Sequence, residues 1–296
     1  MKSEDNILEG NIKACDLRKF QIVLLDILKE FIKICETNNL TYYAVSGTVL
    51  GAVRHQGFIP WDDDIDISMP RSDYERFLEI SSMSLKSPYE LRTYTNDENH
   101  IYAVSKLIDN RVKISAHTAK EKMNYYANIA IIPADGLPAN KLIRRFHIYL
   151  FLIKKFLFNI SVFDKLVIQD KKRPPLESFL VWFLNKFNIS RFFNKKKRVM
   201  AAEKLLKKYA IEESKYCTTQ IWGQYRFKTI FPIDWIGNGV LLPFEDIKIR
   251  VPIEYRKYLA QIYGEDYMDY PPVEKRVAAH ASEVIFPVDE TDKNYE

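Results

Sequence analysis

The first strong pattern along the chain is an apolar stripe near the N-terminus with three- and four-residue spacing. Between Leu17 and Cys35, apolar residues recur with the period of an α-helix that buries one face. Asp16 stands where a helix cap is expected, and Asn38 and Asn39 follow as a stop signal. The pattern predicts an amphipathic helix packed against a core.

The next segment changes to short apolar stretches separated by turn residues. Thr41 to Val45 is rich in strand-forming residues, and Ser46-Gly47-Thr48 turns the chain into a short helix that reaches Arg54. After a loop from His55 to Pro60, the sequence DIDIS at 64–68 alternates polar and apolar residues, as a half-buried strand does. The predicted order is strand, turn, helix and strand, and Pro70 should stop the second strand.

Further elements complete the pattern of an α+β fold. A capping box at 72–75 predicts a helix through Leu78, and a second helix should span Tyr255 to Tyr263 and end at Gly264. Other strand candidates lie at 89–95, 103–108 and 129–132, the last closed by the turn sequence Pro133-Ala134-Asp135-Gly136. We expect a mixed sheet flanked by helices.

Residues 141–208 differ in composition from the rest of the chain, and we predict that they form a helical insert. They contain 18 Lys and Arg against four acidic residues, a net charge of +14, so the remainder of this +5 chain carries −9. Charged residues interrupt its apolar stretches before they reach the length of a membrane span. A basic, aromatic-rich amphipathic insert that lies on a membrane surface fits best. A helical hairpin packed on the domain is the plainer alternative, and the apolar surplus argues against nucleic acid.

Composition also bears on the compartment. The chain has 296 residues, of which 47% are hydrophobic, enough for a sizeable core. Its three cysteines are widely spaced, which indicates neither a disulfide framework nor a thiolate metal site. The N-terminal sequence MKSEDNILEG lacks the basic flank and apolar stretch of a signal peptide. We expect a cytoplasmic protein that is peripheral on the inner face of the cell membrane.

Four aspartates crowd into the sequence WDDDID at 61–66. In a strand, Asp64 and Asp66 share one face while Ile65 faces the core, and Asp62 joins them if the strand extends back. Such carboxylates repel one another unless a cation or a proton intervenes, and hard oxygen ligands suit Mg²⁺ or Mn²⁺. The alternative is a set of aspartates on a surface turn.

Three neighbouring features favour a phosphate site over a surface turn. The N–H groups of Ser46-Gly47-Thr48, at the start of a helix, can receive a phosphate, and Arg54 with His55 could hold a second one. Pro60 and Trp61 can stiffen the entry to the aspartate strand. A strand, glycine turn, helix and D-x-D strand together are typical of a nucleotidyltransferase site.

The residues that carry this pattern also carry a family resemblance. The stretch SGTVLGAVRHQGFIPWDDDIDISMPRSDYERF at 46–77 resembles the signature of the LicD family of phosphotransferases, which includes the fukutin-related proteins. The resemblance continues through PADGLP at 133–138 and through residues 243–276, and leaves out the basic insert. It implies a nucleotidyltransferase-like fold with residues 1–140 as its core and 209–296 completing the site. It also implies transfer of phosphocholine or a related alcohol phosphate, such as ribitol phosphate, from a CDP-linked donor to a glycan hydroxyl, with CMP released.

The resemblance assigns roles to particular positions in this sequence. Gly47 and Thr48 match the phosphate-facing turn, with Ser46 beside them, and Arg54 matches a basic loop. The metal-binding aspartates correspond to Asp62, Asp64 and Asp66, which with Asp135 of the P-x-D-G turn form the candidate catalytic set. The remaining candidates for donor binding are Lys106, Lys275 and Arg276, and His280 follows them.

One departure from the family pattern concerns a third carboxylate. Family members usually have an aspartate three residues before the proline, where this chain has Ala130 in the sequence IAIIP. Ala130 can neither ligate a metal nor accept a proton. Either Asp62 or Asp135 compensates, or the chain is a non-catalytic, membrane-bound scaffold for a glycan-building complex; both hypotheses stay open. A nucleotide-sugar glycosyltransferase, which also uses D-x-D, is a third hypothesis.

Overall fold

A computed structural model of the chain describes residues 14–117, 122–163, 175–187, 189–223, 225–278 and 283–286. Its first half consists of three helices and the main strands of one sheet. The helices are α1 (Ala14–Thr37), α2 (Ser46–His55) and α3 (Arg71–Ser84). The strands are β1 (Tyr43–Ala44), β2 (Asp66–Pro70), β3 (Tyr89–Arg92), β4 (Ser105–His117) and β5 (Lys122–Leu137).

The second half adds helices along the chain and completes the sheet. The helices are α4 (Lys141–Ser161), α5 (Pro175–Lys186), α6 (Lys195–Leu206), the short α7 (Ile233–Ile236) and α8 (Tyr255–Tyr263). The strands are β6 (Tyr216–Thr218), β7 (Ile230–Pro232), β8 (Val240–Phe244), β9 (Ile247–Val251) and β10 (Glu283–Ile285). Single 3₁₀ turns occur at Ile189–Phe192, Ile211–Glu213, Arg226–Thr229 and Val273–Lys275.

The main sheet is mixed and centres on the long strand β5. Its order is β1-β2-β5-β4-β10, with β3 beside the first half of β4, and β6 and β7 continuing from the end of β5. Strands β2 and β5 are parallel, whereas the other pairs are antiparallel. Strands β8 and β9 form a separate hairpin. This architecture confirms the α+β prediction of a mixed sheet flanked by helices.

Helix α1 forms one wall of the core, as its apolar spacing predicts. The side chains that it buries almost completely are Phe20, Leu24, Ile27, Leu28 and Phe31. They pack in the same cluster as Ile65 and Ile67 from the aspartate segment and as Tyr258 and Leu259 from α8. The aspartate segment is therefore anchored on its apolar side by the main core, which fixes the direction of its polar side.

Several boundaries differ from the predictions. Asp16 lies inside α1 and is not its cap. Helix α3 starts directly after Pro70 without a side-chain cap, because the hydroxyl of Ser72 donates to Glu212 instead. Strand β5 continues through Pro133 to Leu137, where a turn was predicted. Pairing with β2 on one side and then with β6 outweighs the local turn preference of the Pro and Gly residues.

The basic insert is joined to the body through α4. Its buried face includes Ile148 and Phe151, which form one apolar cluster with Leu137 of β5 and with Ala202 and Leu206 of α6. Helices α4 and α6 thus pack together on the domain, as predicted for a packed helical hairpin. The outer face of α4 stays exposed. Among the helices that the structure describes, none combines the length and the apolar character needed to cross a membrane.

Candidate active site

A large cavity lies at one end of the sheet, between α2, α4 and the chain that follows α8. Its volume is about 1440 Å³, whereas small-molecule sites usually occupy roughly 300–1,000 Å³. The aspartate segment, the glycine of the 46–48 turn and residues from β4 and β5 line it together. The cavity is therefore larger than the usual site for one small molecule.

The aspartate cluster lies on the wall of this cavity. Asp62, Asp64 and Asp66 all line it, while Ile65 between them is buried in the core. The burial of Ile65 agrees with the predicted alternation, but regular strand begins only at Asp66, and Asp63 and Ile65 also border the cavity. The backbone is held at Ile65, whose carbonyl accepts a hydrogen bond from the Ala130 N–H at 2.9 Å.

Crowding of the carboxylates changes the protonation of Asp62. Burial raises its pKa to about 8, and the negative charges of Asp64, Asp63 and Asp66 and a hydrogen bond with Asp64 act in the same direction. The cluster therefore has more negative charge than its surroundings neutralise. A bound cation would remove this repulsion.

The 46–48 turn supports the aspartates more than it supports a phosphate. A Cβ atom on Gly47 would lie 2.8 Å from Oδ2 of Asp62, so any other residue here would displace that carboxylate from its position. The N–H of Ser46 donates to the Tyr258 hydroxyl at 3.0 Å, and the N–H of Thr48 donates to the Val45 carbonyl at 3.2 Å. Two of the three N–H groups predicted to receive phosphate are thus already engaged within the protein.

The hydroxyls of the same turn extend the network to Asp66. Oγ1 of Thr48 accepts the Asp66 N–H at 3.0 Å, and the hydroxyl of Ser46 donates to Oε1 of Gln220. Nε2 of Gln220 then donates to Oδ2 of Asp66 at 2.6 Å. Gln220 is a site residue that no sequence pattern indicates, because a connection from β6 places it here. The turn and Gln220 together orient Asp66.

Lys106 lies in one row with Asp66 across three strands. Asp66 of β2 pairs with Ala130 of β5, and Ala130 pairs with Lys106 of β4, so the three residues are in register. Burial lowers the pKa of Lys106 to about 8, against the opposing effect of the negative charges of Asp66 and Asp64. Its Nζ lies 4.0 Å from the ring centroid of Tyr102. Lys106, predicted to bind the donor, therefore lies in one row with Asp66 on the cavity, and its role stays a prediction.

Arg54 lines the cavity and also forms hydrogen bonds within the protein. It lies in the last turn of α2, as the predicted helix reaching Arg54 requires, whereas His55, predicted to start the loop, is the last residue of that helix. Its Nη1 donates to the carbonyls of Tyr267 and Asp269 at 3.1 and 2.9 Å, and its guanidinium lies 5.1 Å from the Tyr270 ring centroid. Arg54 thus fastens the 267–270 loop to the site, and burial lowers its pKa.

The late basic residues occupy the rim beside this loop. Lys275 lines the cavity and is exposed. Arg276 stacks over Trp61 and Tyr270, at 5.4 and 5.3 Å from their ring centroids, and donates to the Pro271 carbonyl. Both therefore lie near the aspartates, Lys275 directly on the cavity and Arg276 behind an aromatic layer. His280 lies outside the described residues.

Asp135 is not part of this site. Its carboxylate is 1% exposed and accepts two hydrogen bonds from the Arg71 guanidinium, at 2.7 and 2.8 Å. Nη1 of the same arginine bonds Glu203 of α6 at 2.6 Å. The neighbouring Gly136 is needed for packing, because a Cβ there would lie 2.6 Å from the Ala210 carbonyl oxygen. The prediction of a catalytic Asp135 is therefore wrong: the residue is the centre of a buried ion-pair network.

The insert contributes directly to the cavity. Lys155, Phe158 and Asn159 of α4 are among its lining residues. Nζ of Lys155 donates to three successive carbonyls, those of Ile221, Trp222 and Gly223, and burial lowers its pKa to about 8. Lys155 thereby holds the segment that ends beside Gln220. The sequence gives no hint of this role, because Lys155 looks like one more charge in a basic run.

The donor atoms of the aspartates suit a divalent ion, but their side chains are not arranged around one ion position. Asp62, Asp64 and Asp66 offer only carboxylate oxygens, the donors that Mg²⁺ and Mn²⁺ prefer, and their mutual repulsion favours a cation. Within the described part of the chain, however, no three His, Cys, Asp or Glu side chains are already arranged as ligands of one ion. The metal site stays a prediction, and Ala130 supplies no oxygen to it.

Comparison with known proteins adds the relatives of this chain. The family profile described as "LicD/FKTN/FKRP, nucleotidyltransferase domain" matches residues 39–135, which include the turn, the aspartates and Lys106. The lipopolysaccharide cholinephosphotransferase LicD of Haemophilus influenzae is 30% identical to the chain over 284 residues, covering 92% of this chain and 98% of that protein. The chain belongs to the LicD family.

Two further proteins match shorter parts of the chain. An uncharacterized protein of Rickettsia typhi is 36% identical over 86 residues, or 29% of this chain and 26% of that protein. A second, from Rickettsia prowazekii, is 34% identical over 113 residues, or 38% and 40% of the two chains. The resemblance inferred from the 46–77 stretch is confirmed, and the LicD match to the Haemophilus protein extends across the insert as well.

Proposed function

We propose that the chain is a phosphotransferase that moves phosphocholine from CDP-choline to a hydroxyl of a cell-surface glycan or of its lipid-linked precursor. The observation that carries this proposal is the placement of Asp62, Asp64 and Asp66 together on one large cavity. The near full-length similarity to a lipopolysaccharide cholinephosphotransferase supports the choice of group and acceptor. A related alcohol phosphate such as ribitol phosphate is the alternative cargo.

The proposed reaction is an in-line displacement at the phosphorus that carries choline. The acceptor hydroxyl oxygen forms a bond to this phosphorus, the bond to the bridging oxygen breaks, CMP leaves, and the hydroxyl proton is released. When bound, Mg²⁺ or Mn²⁺ would neutralise the charge on the diphosphate oxygens. Asp62, Asp64 and Asp66 would hold that ion, with Asp66 oriented by Gln220 and Thr48.

Cationic side chains would share the negative charge of the donor. Lys106 faces Asp66 across Ala130, and Lys275 lies on the cavity rim. Arg54 and Arg276 are held by loop carbonyls and aromatic rings, so we assign them to fixing the 267–270 loop over the donor. Donor binding thus combines an exposed lysine at the rim with a half-buried lysine beside the aspartates.

Aromatic side chains favour choline over ribitol. Trp61 and Tyr270 are covered by arginines, and Tyr102 lies under Lys106. Tyr225 and Tyr263 form a T-shaped pair on the cavity wall, with ring centroids 5.6 Å apart, and within the described chain no Lys or Arg lies over either ring. Such rings attract a trimethylammonium group, whereas a polyol gains no comparable contact.

The proposed location is the inner face of the cell membrane, where a lipid-linked acceptor would be reached. The net charge of +14 in residues 141–208 and the exposed apolar residues of α4 support a peripheral attachment. Separation of cells into membrane and soluble fractions tests this location: recovery in the soluble fraction at low salt would contradict it.

A panel of donors tests the chemistry. We expect CMP release from CDP-choline with Mg²⁺ and a glycan acceptor, slower release from CDP-ribitol, and none from nucleotide sugars or after chelation of the metal. Preferred use of a nucleotide sugar would favour the glycosyltransferase hypothesis. No release from any donor, with intact binding of CDP-choline, would favour the non-catalytic scaffold, for which Ala130 is the specific observation.

A further inference from the structure

Helix α4 has an outer face that the rest of the described structure leaves uncovered. Leu142, Phe146, Tyr149, Ile153 and Phe156 recur at spacings of four and three residues, and each is more than half exposed. This spacing places them in one stripe along the helix. Isolated apolar residues on a surface are ordinary, but a continuous stripe of five over four turns indicates an apolar partner.

A basic pocket lies beside the N-terminal end of this stripe. Its volume is about 400 Å³, and Lys141, Arg144 and Arg145 line it together with Lys228. Among the described residues that line the pocket there is no carboxylate. The ring of Phe227, also on the pocket wall, contacts Tyr149 of the stripe with centroids 5.7 Å apart. The pocket and the stripe therefore form one continuous surface.

The four cations of the pocket divide into two anchored and two available groups. Arg144 stacks 3.8 Å from the Tyr216 ring centroid and donates to the carbonyls of Pro138 and Ala139, and Lys228 donates to the Ile262 carbonyl. Lys141 and Arg145 are exposed, and neither forms an ion pair within the described residues. Their donors are thus available to an anion at the pocket mouth.

We infer that this pocket binds the phosphate headgroup of an anionic membrane lipid while the α4 stripe enters the acyl region beside it. This inference rests on the membrane location in the proposed function and names the residues responsible. Positive charge next to an apolar stripe matches a lipid, which presents phosphate and hydrocarbon within one molecule. A nucleic acid or an acidic soluble protein would satisfy the charges but leave five large apolar side chains in water.

The position of α4 connects this surface with the chemistry. The same helix that carries the stripe also carries Lys155, Phe158 and Asn159 on the wall of the large cavity. A lipid surface held against one side of α4 would therefore lie one helix thickness, about 10 Å, from that cavity. An acceptor anchored in the membrane would need to reach only across this helix.

Vesicle binding by the full chain tests the inference. The pocket variant is Lys141→Gln with Arg145→Gln, and the matched control is Lys19→Gln with Lys248→Gln, which removes the same charge from exposed positions on α1 and β9. Each protein is sedimented with vesicles of phosphatidylcholine alone or with about one third phosphatidylglycerol. A third variant, Phe146→Ser with Ile153→Ser, removes part of the stripe.

We expect the unchanged protein to bind the anionic vesicles, and the pocket variant to bind them about thirty-fold more weakly. The control pair should lose about threefold or less, since its charges lie away from the pocket. At high salt, where charge attraction is screened, the stripe variant should bind the vesicles more weakly than the unchanged protein. Equal loss in the pocket and control variants would overturn the pocket assignment, and equal binding to neutral vesicles would overturn the anionic lipid.

Two further measurements separate the possible failures. If inorganic phosphate raises the unfolding temperature through Lys141 and Arg145 while vesicles are ignored, the pocket serves a soluble anion and the inference is wrong. CMP release toward a soluble acceptor should be the same in the unchanged protein and the pocket variant. If neither the unchanged protein nor the variants release CMP, the proposed reaction is contradicted. The vesicle result would still be valid, because it does not depend on CMP release.

Discussion

Lys106 and Asp66 face each other across Ala130, each in register with that alanine on the strands that flank β5. Because alanine is small and uncharged, β5 places no charged side chain between the half-buried Lys106 and the Asp66 carboxylate. Ala130 therefore determines how many carboxylates the site has and how close Lys106 can come to a donor phosphate.

Ala130→Asp should add a fourth carboxylate to the site. We expect divalent ions to bind about tenfold more tightly, because another oxygen donor joins Asp66 on the next strand. Ala130→Asn adds similar volume with less charge and should change the affinity by less. Calorimetric titration with Mn²⁺ measures both. The unchanged protein should already release CMP, so activity confined to the aspartate variant would contradict the proposed reaction in this chain.

Lys106→Met should separate donor binding from stability. Loss of the buried charge should raise the KM for CDP-choline by about tenfold or more, whereas the exposed Lys113→Met on the same strand should leave it unchanged. The pKa of Lys106 is about 8 in the folded chain against an ordinary 10.5, so folding of the charged form is disfavoured. Below pH 8 the methionine variant should be more stable by up to about 3 kcal/mol, an upper bound because Lys106 is only half-buried.

The pH dependence of this difference has a definite sign. Between pH 8 and 10.5 the unfolded chain still holds the lysine proton that the folded chain has lost, so the unchanged protein gains stability with rising pH. The advantage of Lys106→Met should shrink over that interval. Urea unfolding at several pH values measures it, and a difference that stays constant would contradict burial of the charge.

Two glycines should respond to alanine in opposite ways. At Gly47 the new Cβ meets the end of the Asp62 side chain, which can move, so CMP release should fall while stability changes little. At Gly136 it meets backbone carbonyl oxygens of Tyr209 and Ala210 at 2.7 and 2.6 Å. That variant should lose about 2 kcal/mol or more of stability. Thermal unfolding and single-turnover assays distinguish the two; unchanged activity in Gly47→Ala would count against a functional Asp62.

Asp135→Asn should destabilise the protein without removing its chemistry. The substitution leaves Arg71 and Glu203 buried with an incomplete partner set, which typically costs about 3–5 kcal/mol. CMP release per folded molecule should persist, because Asp135 lies outside the cavity. Full loss of activity in a variant that still unfolds at the original temperature would restore Asp135 to the catalytic set.

The sequence predicts those parts of the site whose evidence is local. The burial of Ile65 between Asp64 and Asp66 follows the local alternation of apolar and polar residues, and the apolar spacing of α1 and α8 is set by the helical turn. Both patterns arise from the burial of one face, so they can be read without knowing the partner. The LicD signature is carried by the same short segment.

Other features depend on contacts between distant segments. Gln220 reaches Asp66 only because β6 pairs with the end of β5, and Lys155 reaches the cavity only because α4 packs against the 221–223 segment. Asp135 belongs to a motif that resembles a site, yet its role is decided by Arg71, 64 positions away in the chain. No residue spacing in the sequence predicts these contacts between distant segments.

The most direct measurement of the central claim is CMP release from CDP-choline by the variant Asp64→Asn with Asp66→Asn. We predict a loss of at least about a hundredfold, together with loss of the thermal stabilisation that we expect Mg²⁺ to give the unchanged protein. The exposed Asp26→Asn on α1 is the control and should behave like the unchanged protein. A double variant that folds and releases CMP at the original rate would contradict a catalytic role for the aspartate cluster.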